Sequence, residues 1–203
     1  MKKTICAIAL ICLGTLPALA QGPAFRLGIE GGTNLDKISG QSFNQNFNFN
    51  YYLGAFMNLG LTRGFGIQPE VQFSQSTATT TSHFKTAYTQ FFNNGSPAGK
   101  QRRASLNYLN IPVLASFAIA KRLYIQVGPQ FGILMKEDKT LVDNGAQAFK
   151  NGNFSMVGGL WIRLPFHLNL SGRYVIGLSN LNGLGDQEKW TSQSIQLGLG
   201  LTL

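Results

Sequence analysis

Few residues in this chain could do chemistry, and their spacing narrows them further. The two histidines are His83 and His167. Ser82 adjoins His83, and Glu137, Asp138 or Asp186 would complete a Ser/His/acid set if the fold brought one close. The spacing fixes no such meeting, because serines are abundant here and the acids are remote in sequence. A solvated loop histidine is the simpler account, so no catalytic residue is assigned. No phosphate-cradling loop, His/Glu metal spacing or EF-hand loop occurs, and neither metal nor cofactor is expected. Two charged sets remain. Arg26, Glu30, Glu70 and Arg173 fall inside alternating stretches, while Lys100, Arg102 and Arg103 form a compact basic group. The first set suits a buried polar network. The second suits an anion such as a lipopolysaccharide phosphate, with ordinary solvated loop charge as the plainer reading.

The elements that must hold these residues are strands. From Leu123 to Ile133 the odd positions are Leu, Ile, Val, Pro, Phe and Ile, and the even ones are Tyr, Gln, Gly, Gln and Gly. Side chains alternate between the faces of a strand, so one face is apolar and the other amide-rich and small. The pattern recurs in Phe65–Ser74 and in Ser194–Leu203. Strands are expected at Ala24–Asn34, Phe49–Leu61, Phe65–Ser74, Ser105–Ile119, Leu123–Ile133, Asn153–Ile162, His167–Leu178 and Thr191–Leu203. Pro112 deletes a ladder donor, so a bulge or local irregularity is expected there.

The links between these strands read long, short, long, short, long, short, long. The short ones are Thr62-Arg63-Gly64, Ala120-Lys121-Arg122 and Arg163–Phe166. The longer ones include the Asn-rich stretch from Leu35 to about Asn48, the Ser/Thr-rich Gln75–Ala104, Leu134–Gly152 and Ser179–Trp190. Alternating links of this kind are what a small membrane barrel requires, with short turns in the periplasm and long loops outside. The fold class expected is all-β, an eight-stranded antiparallel up-and-down transmembrane β-barrel. Hydrocarbon offers backbone groups no partner, so such a sheet must close. Its narrow lumen is filled by side chains. By parity Arg26, Glu30, Glu70 and Arg173 point inward as a balanced polar network. Phe25, Tyr51, Phe65, Phe73, Phe131, Phe166 and Trp190 are expected in interfacial girdles. Glycine pairs such as Gly31-Gly32 and Gly158-Gly159 are read as sites of close packing.

The ends and the composition fit this reading. Lys2 and Lys3, an apolar run from Ile5 to Leu16 and Ala18-Leu19-Ala20 form a signal peptide expected to be cleaved after Ala20, leaving 21–203 as the barrel domain. Both cysteines, Cys6 and Cys12, lie in that leader, which excludes disulfides from the remainder. Lys and Arg number 17 against 8 acids, a net charge of +9, or +7 without Lys2 and Lys3. Export argues against nucleic acid as a partner and makes outer-membrane lipid and lipopolysaccharide the better neighbours, with a modest excess spread through loops and strand ends as the plainer reading.

Several segments carry a resemblance to a known group. Gly28–Leu35 (GIEGGTNL), Tyr108-Leu109-Asn110-Ile111-Pro112, Gly128-Pro129-Gln130-Phe131-Gly132 and Arg173-Tyr174 with Gly177-Leu178 and Asn180-Leu181 together resemble the PorT-like outer-membrane β-barrel family of Bacteroidetes-type bacteria. The chain departs from many outer-membrane barrels in ending on Leu203, not an aromatic. The resemblance implies the barrel and an outer-membrane location. It also suggests an accessory role with envelope or secretion-complex proteins, since the family's namesake is linked to protein secretion. The expected function is a non-enzymatic barrel presenting surface loops. The alternatives are a small porin-like channel, a secretion-complex component, or a secreted soluble barrel with its apolar face turned inward.

Overall fold

The computed structural model describes residues 24–88, 102–137, 148–185 and 188–203. Its elements, in order, are β1 (Ala24–Ser39), β2 (Asn48–Gly60), β3 (Phe65–Thr79), a short helix α1 (Ser82–Ala87), β4 (Arg103–Ala118), β5 (Leu123–Glu137), β6 (Gly152–Arg163), β7 (Leu168–Gly177) and β8 (Thr191–Thr202). Each strand pairs antiparallel with the next, and β1 pairs with β8 through contacts such as Glu30 with Gly200 and Asn34 with Gln196. The sheet is a closed eight-stranded up-and-down barrel. Among the described residues no helix is long and apolar enough to cross a membrane.

The alternation read from Leu123 to Ile133 sets the two faces. Gln126 is fully buried in the lumen, and its neighbour Val127 is 41% exposed on the outside. Leu53, Val71, Val113, Leu170 and Leu199 are likewise exposed outward, so the barrel wears an apolar belt. That orientation excludes the soluble barrel with an inward apolar face.

Strand ends differ from expectation mainly at the top, the end of the long loops. β1 runs on to Ser39, β3 through the Ser/Thr run to Thr79, and β5 to Glu137. Hydroxyl and β-branched side chains fit a pleated strand as well as a loop, and Thr77, Ala78 and Thr79 pair with Ser105, Ala104 and Arg103. Register holds across Pro112, which lies opposite Gln130, and the shift in β4 falls instead between Asn107 and Tyr108. At the bottom, the β6–β7 hairpin turns on Phe166 and His167, both with positive φ (59° and 61°). Two left-handed central residues are what a type I′ turn demands, although neither is the usual Asn or Gly.

Candidate functional site

Three of the four inward charges meet at mid-barrel. Arg173 of β7, 2% exposed, donates from Nη1 to Glu70 Oε2 and from Nη2 to Glu70 Oε1, both at 2.9 Å. This fork-on-fork pair matches guanidinium and carboxylate geometry. Nη2 also reaches Glu30 Oε2 at 3.4 Å and Gln126 Oε1 at 3.1 Å. Because same-face neighbours lie two residues apart on a strand, Gln68 and Gln72 flank Glu70 and donate to its two oxygens at 2.7 and 2.6 Å. Tyr52 Oη and Ser171 Oγ both donate to Glu30 Oε1. The Arg173 guanidinium lies 5.5 Å from the centre of the Trp161 ring, which Phe56 meets edge-on. Gly198 completes the layer, because a Cβ there would strike Tyr52 Oη and Glu30 Oε1. The lumen is thus crossed by hydrogen-bonded polar side chains from β1, β2, β3, β5 and β7, with the Trp161 ring of β6 packed beside them.

Arg26 does not join this layer. Its parity is inward, but β1 begins at Ala24, so Arg26 sits at the lower rim and is exposed, beside Arg163, Asn58 and Asn169. Alternation fixes which face a residue takes and says nothing of depth. The expected balance of two acids and two bases is therefore corrected to two acids against one base at mid-lumen. A further acid was missed. Asp36, placed by sequence in the first loop, belongs to the extended β1 and is buried in the upper lumen, where Asn50 Nδ2 donates to it at 3.2 Å.

The upper end is closed by a lid. Phe43, Phe84, Tyr88, Phe149 and Trp190 are all buried, and Phe43 stands edge-on to Trp190 at 4.8 Å. Leu181 and Leu184 join them, as do Ile38, Ala78, Leu106 and Tyr108 from the strand tops. Bridges between Phe43 and Thr80 and between Phe149 and Asn182 fasten the loops. Glu188 receives hydrogen bonds from Ser42 N, Ser42 Oγ and Trp190 Nε1, and Asn182 Nδ2 donates to Tyr88 Oη at 2.7 Å. Burial pushes Glu188 upward, but the donors from Ser42 and Trp190 outweigh it and hold the carboxyl below its usual range. Burial raises Tyr88. Trp190 thus belongs to the lid and not to a girdle, whereas Tyr51, Phe73, Phe131 and Phe166 are exposed. No periodicity marks the lid, so sequence pattern had nothing to flag it.

Of the basic group, Lys100 lies outside the described residues. Arg102 is half-buried beside Thr80, which accepts its backbone N–H at 2.9 Å, and Arg103 is exposed at the start of β4. His83 is exposed on α1 and His167 is exposed in the lower turn, so they sit at opposite ends of the barrel. Asp138 and Asp186 lie outside the described residues. Among the described residues no three His, Cys, Asp or Glu side chains gather as a metal site. The leader 1–20 also lies outside them.

A family model described as outer membrane protein beta-barrel domain matches residues 19–183. Similar solved structures include the outer membrane protein AlkL in lipid bilayers, with 12% identity, TM-score 0.52, 91% of this chain and 92% of that one covered. OprG from Pseudomonas aeruginosa is similar at 12% identity and TM-score 0.51, with 90% and 97% covered. Neisserial surface protein A is similar at 10% identity and TM-score 0.51, with 90% and 100% covered. At these identities the likeness is one of fold. No curated protein matches the sequence.

Proposed function

The chain belongs to the outer membrane protein β-barrel domain family, and from that premise we propose that it is a non-enzymatic, sealed wall element of the outer membrane that presents its loop end to binding partners. The observation that supports this most directly is the layer through Glu30, Glu70 and Arg173, backed by the lid above it. A lumen crossed by a charge-assisted, fully buried layer leaves no continuous water path for solutes. The apolar belt would face lipid, and Arg102 and Arg103 would meet lipopolysaccharide phosphates at the upper rim. Planar-bilayer recording of the purified protein tests the sealed reading. A flat baseline is expected; steady nanosiemens-scale openings would make the protein a small channel instead.

A second reading rests on the PorT-like segments. Under it the barrel is an accessory subunit that holds an envelope or secretion complex in the membrane, with a leader cleaved after Ala20. Gentle solubilisation and affinity purification should then recover stoichiometric partners, whereas a free-standing barrel comes out alone with lipid.

A further inference from the structure

Between the ionic layer and the lid lies a cavity of about 50 Å³, roofed by Ile38, Tyr108 and Leu181. Among the described residues its lining contains no lysine, arginine or histidine. Asp36 is 7% exposed there and has no ion-pair partner among the described residues. Three amide oxygens of lining residues, Asn34 Oδ1, Gln130 Oε1 and Asn153 Oδ1, are buried without a donor among the described residues. Their side chains are 2%, 5% and 8% exposed. Gly132 leaves room beside Asn153, since a Cβ on it would strike both Asn153 Oδ1 and Asn110 Oδ1.

Buried oxygens of this kind require donors, and a buried carboxyl must either gain a counter-charge or keep its proton. Water meets the first need, and about 50 Å³ would admit a few waters at about 10–15 Å³ each. Water supplies no counter-charge, so the second need falls to a proton on Asp36 or to a cation in the cavity. The described lumen buries Glu30, Asp36 and Glu70 against Arg173 alone, and Arg173 is engaged by the two glutamates. Hard cations take all-oxygen shells of carboxylate, amide carbonyl and water. A site with one carboxylate and neutral amides balances a single positive charge; divalent sites gather several carboxylates. We propose that this cavity binds one sodium-sized monovalent cation between Asp36 and the amide oxygens of Asn34, Gln130 and Asn153. The site stands whether or not the lumen conducts.

The test compares thermal unfolding of the detergent-folded protein, read as loss of fast mobility on unboiled denaturing gels, in sodium chloride and in choline chloride at equal ionic strength. Sodium should raise the midpoint by several degrees, and Asp36→Asn should abolish that increment. Equal midpoints in both salts, with Asp36→Asn at least as stable as the parent, would overturn the site and leave a protonated carboxyl with water. Should Asp36→Asn fail to fold, sodium NMR of the parent decides. Saturable line broadening supports the site, and its absence, or displacement of sodium by equimolar calcium, defeats the monovalent assignment.

Discussion

At the scale of single residues, Arg173 carries the largest consequence. Removing one partner of a buried ion pair strands the other charge, at a cost of about 3–5 kcal/mol. Arg173→Met strands two carboxylates, Glu30 and Glu70, and should lower the unfolding free energy by at least that much. Replacing all three together, Arg173→Met with Glu30→Gln and Glu70→Gln, should recover most of the loss, because well-packed neutral groups often match a buried ion pair. Urea titrations of protein folded in lipid vesicles measure both, and a single variant as stable as its parent would show the pair to be idle. The strained turn offers the opposite case. Phe166 is 89% exposed, so its removal forfeits little burial, while the left-handed conformation costs a non-glycine residue about 1–2 kcal/mol. Replacing Phe166-His167 by Asn-Gly should therefore stabilise the barrel by about that amount in the same titration. Glu188 sets a pH dependence for the lid. Its folded pKa lies below the usual 4.5, so its contribution is complete above that value and fades as pH falls through the folded one. Trp190 fluorescence in a Trp161→Phe background should report the lid loosening on that acid limb, and Glu188→Gln should flatten it.

At the scale of the strand, glycine decides how closely neighbours pack. A Cβ on Gly128 would run into the carbonyl of Val113, and one on Gly32 into that of Leu197. Nothing lies near a Cβ on Gly158, which faces outward. Gly128→Ala should thus cost about 1–3 kcal/mol through overpacking, and Gly158→Ala next to nothing. The reading of Gly158 as a tight site fails for the same reason that Gly159 fits it: in a pair on one strand only the inward member meets the crowded lumen. Parity was the legible quantity throughout. It assigned Glu30, Glu70 and Arg173 to one face and marked the turns, because a period of two survives without any knowledge of neighbours. Depth was not legible. Arg26 and Asp36 share the parity of Glu30, yet one ends at the lower rim and the other under the lid, and only strand length and stagger separate them. The lid was silent for a different reason, since Phe43, Phe149 and Trp190 come from three irregular loops whose meeting no periodicity encodes.

At the scale of the whole molecule, the ionic layer and the lid are two seals in series, built on different physics. The lower one depends on charge pairing among strands that the closed sheet holds rigid. The upper one depends on apolar burial among loops tied by Glu188 and Asn182, so it should loosen at lower cost. Series arrangement makes the outcome of opening either one specific. Trp190→Ala should loosen the lid, exposing the cavity to water while the ionic layer still blocks ions, and the bilayer baseline should stay flat. The neutral triple replacement at Glu30, Glu70 and Arg173 removes the charge pairing but leaves the lid, and should pass at most brief events. Only the combination should give sustained current, more than the sum of the two alone. If Trp190→Ala by itself conducted as well as the combination, the mid-barrel layer would be no barrier, and the lid alone would close the protein.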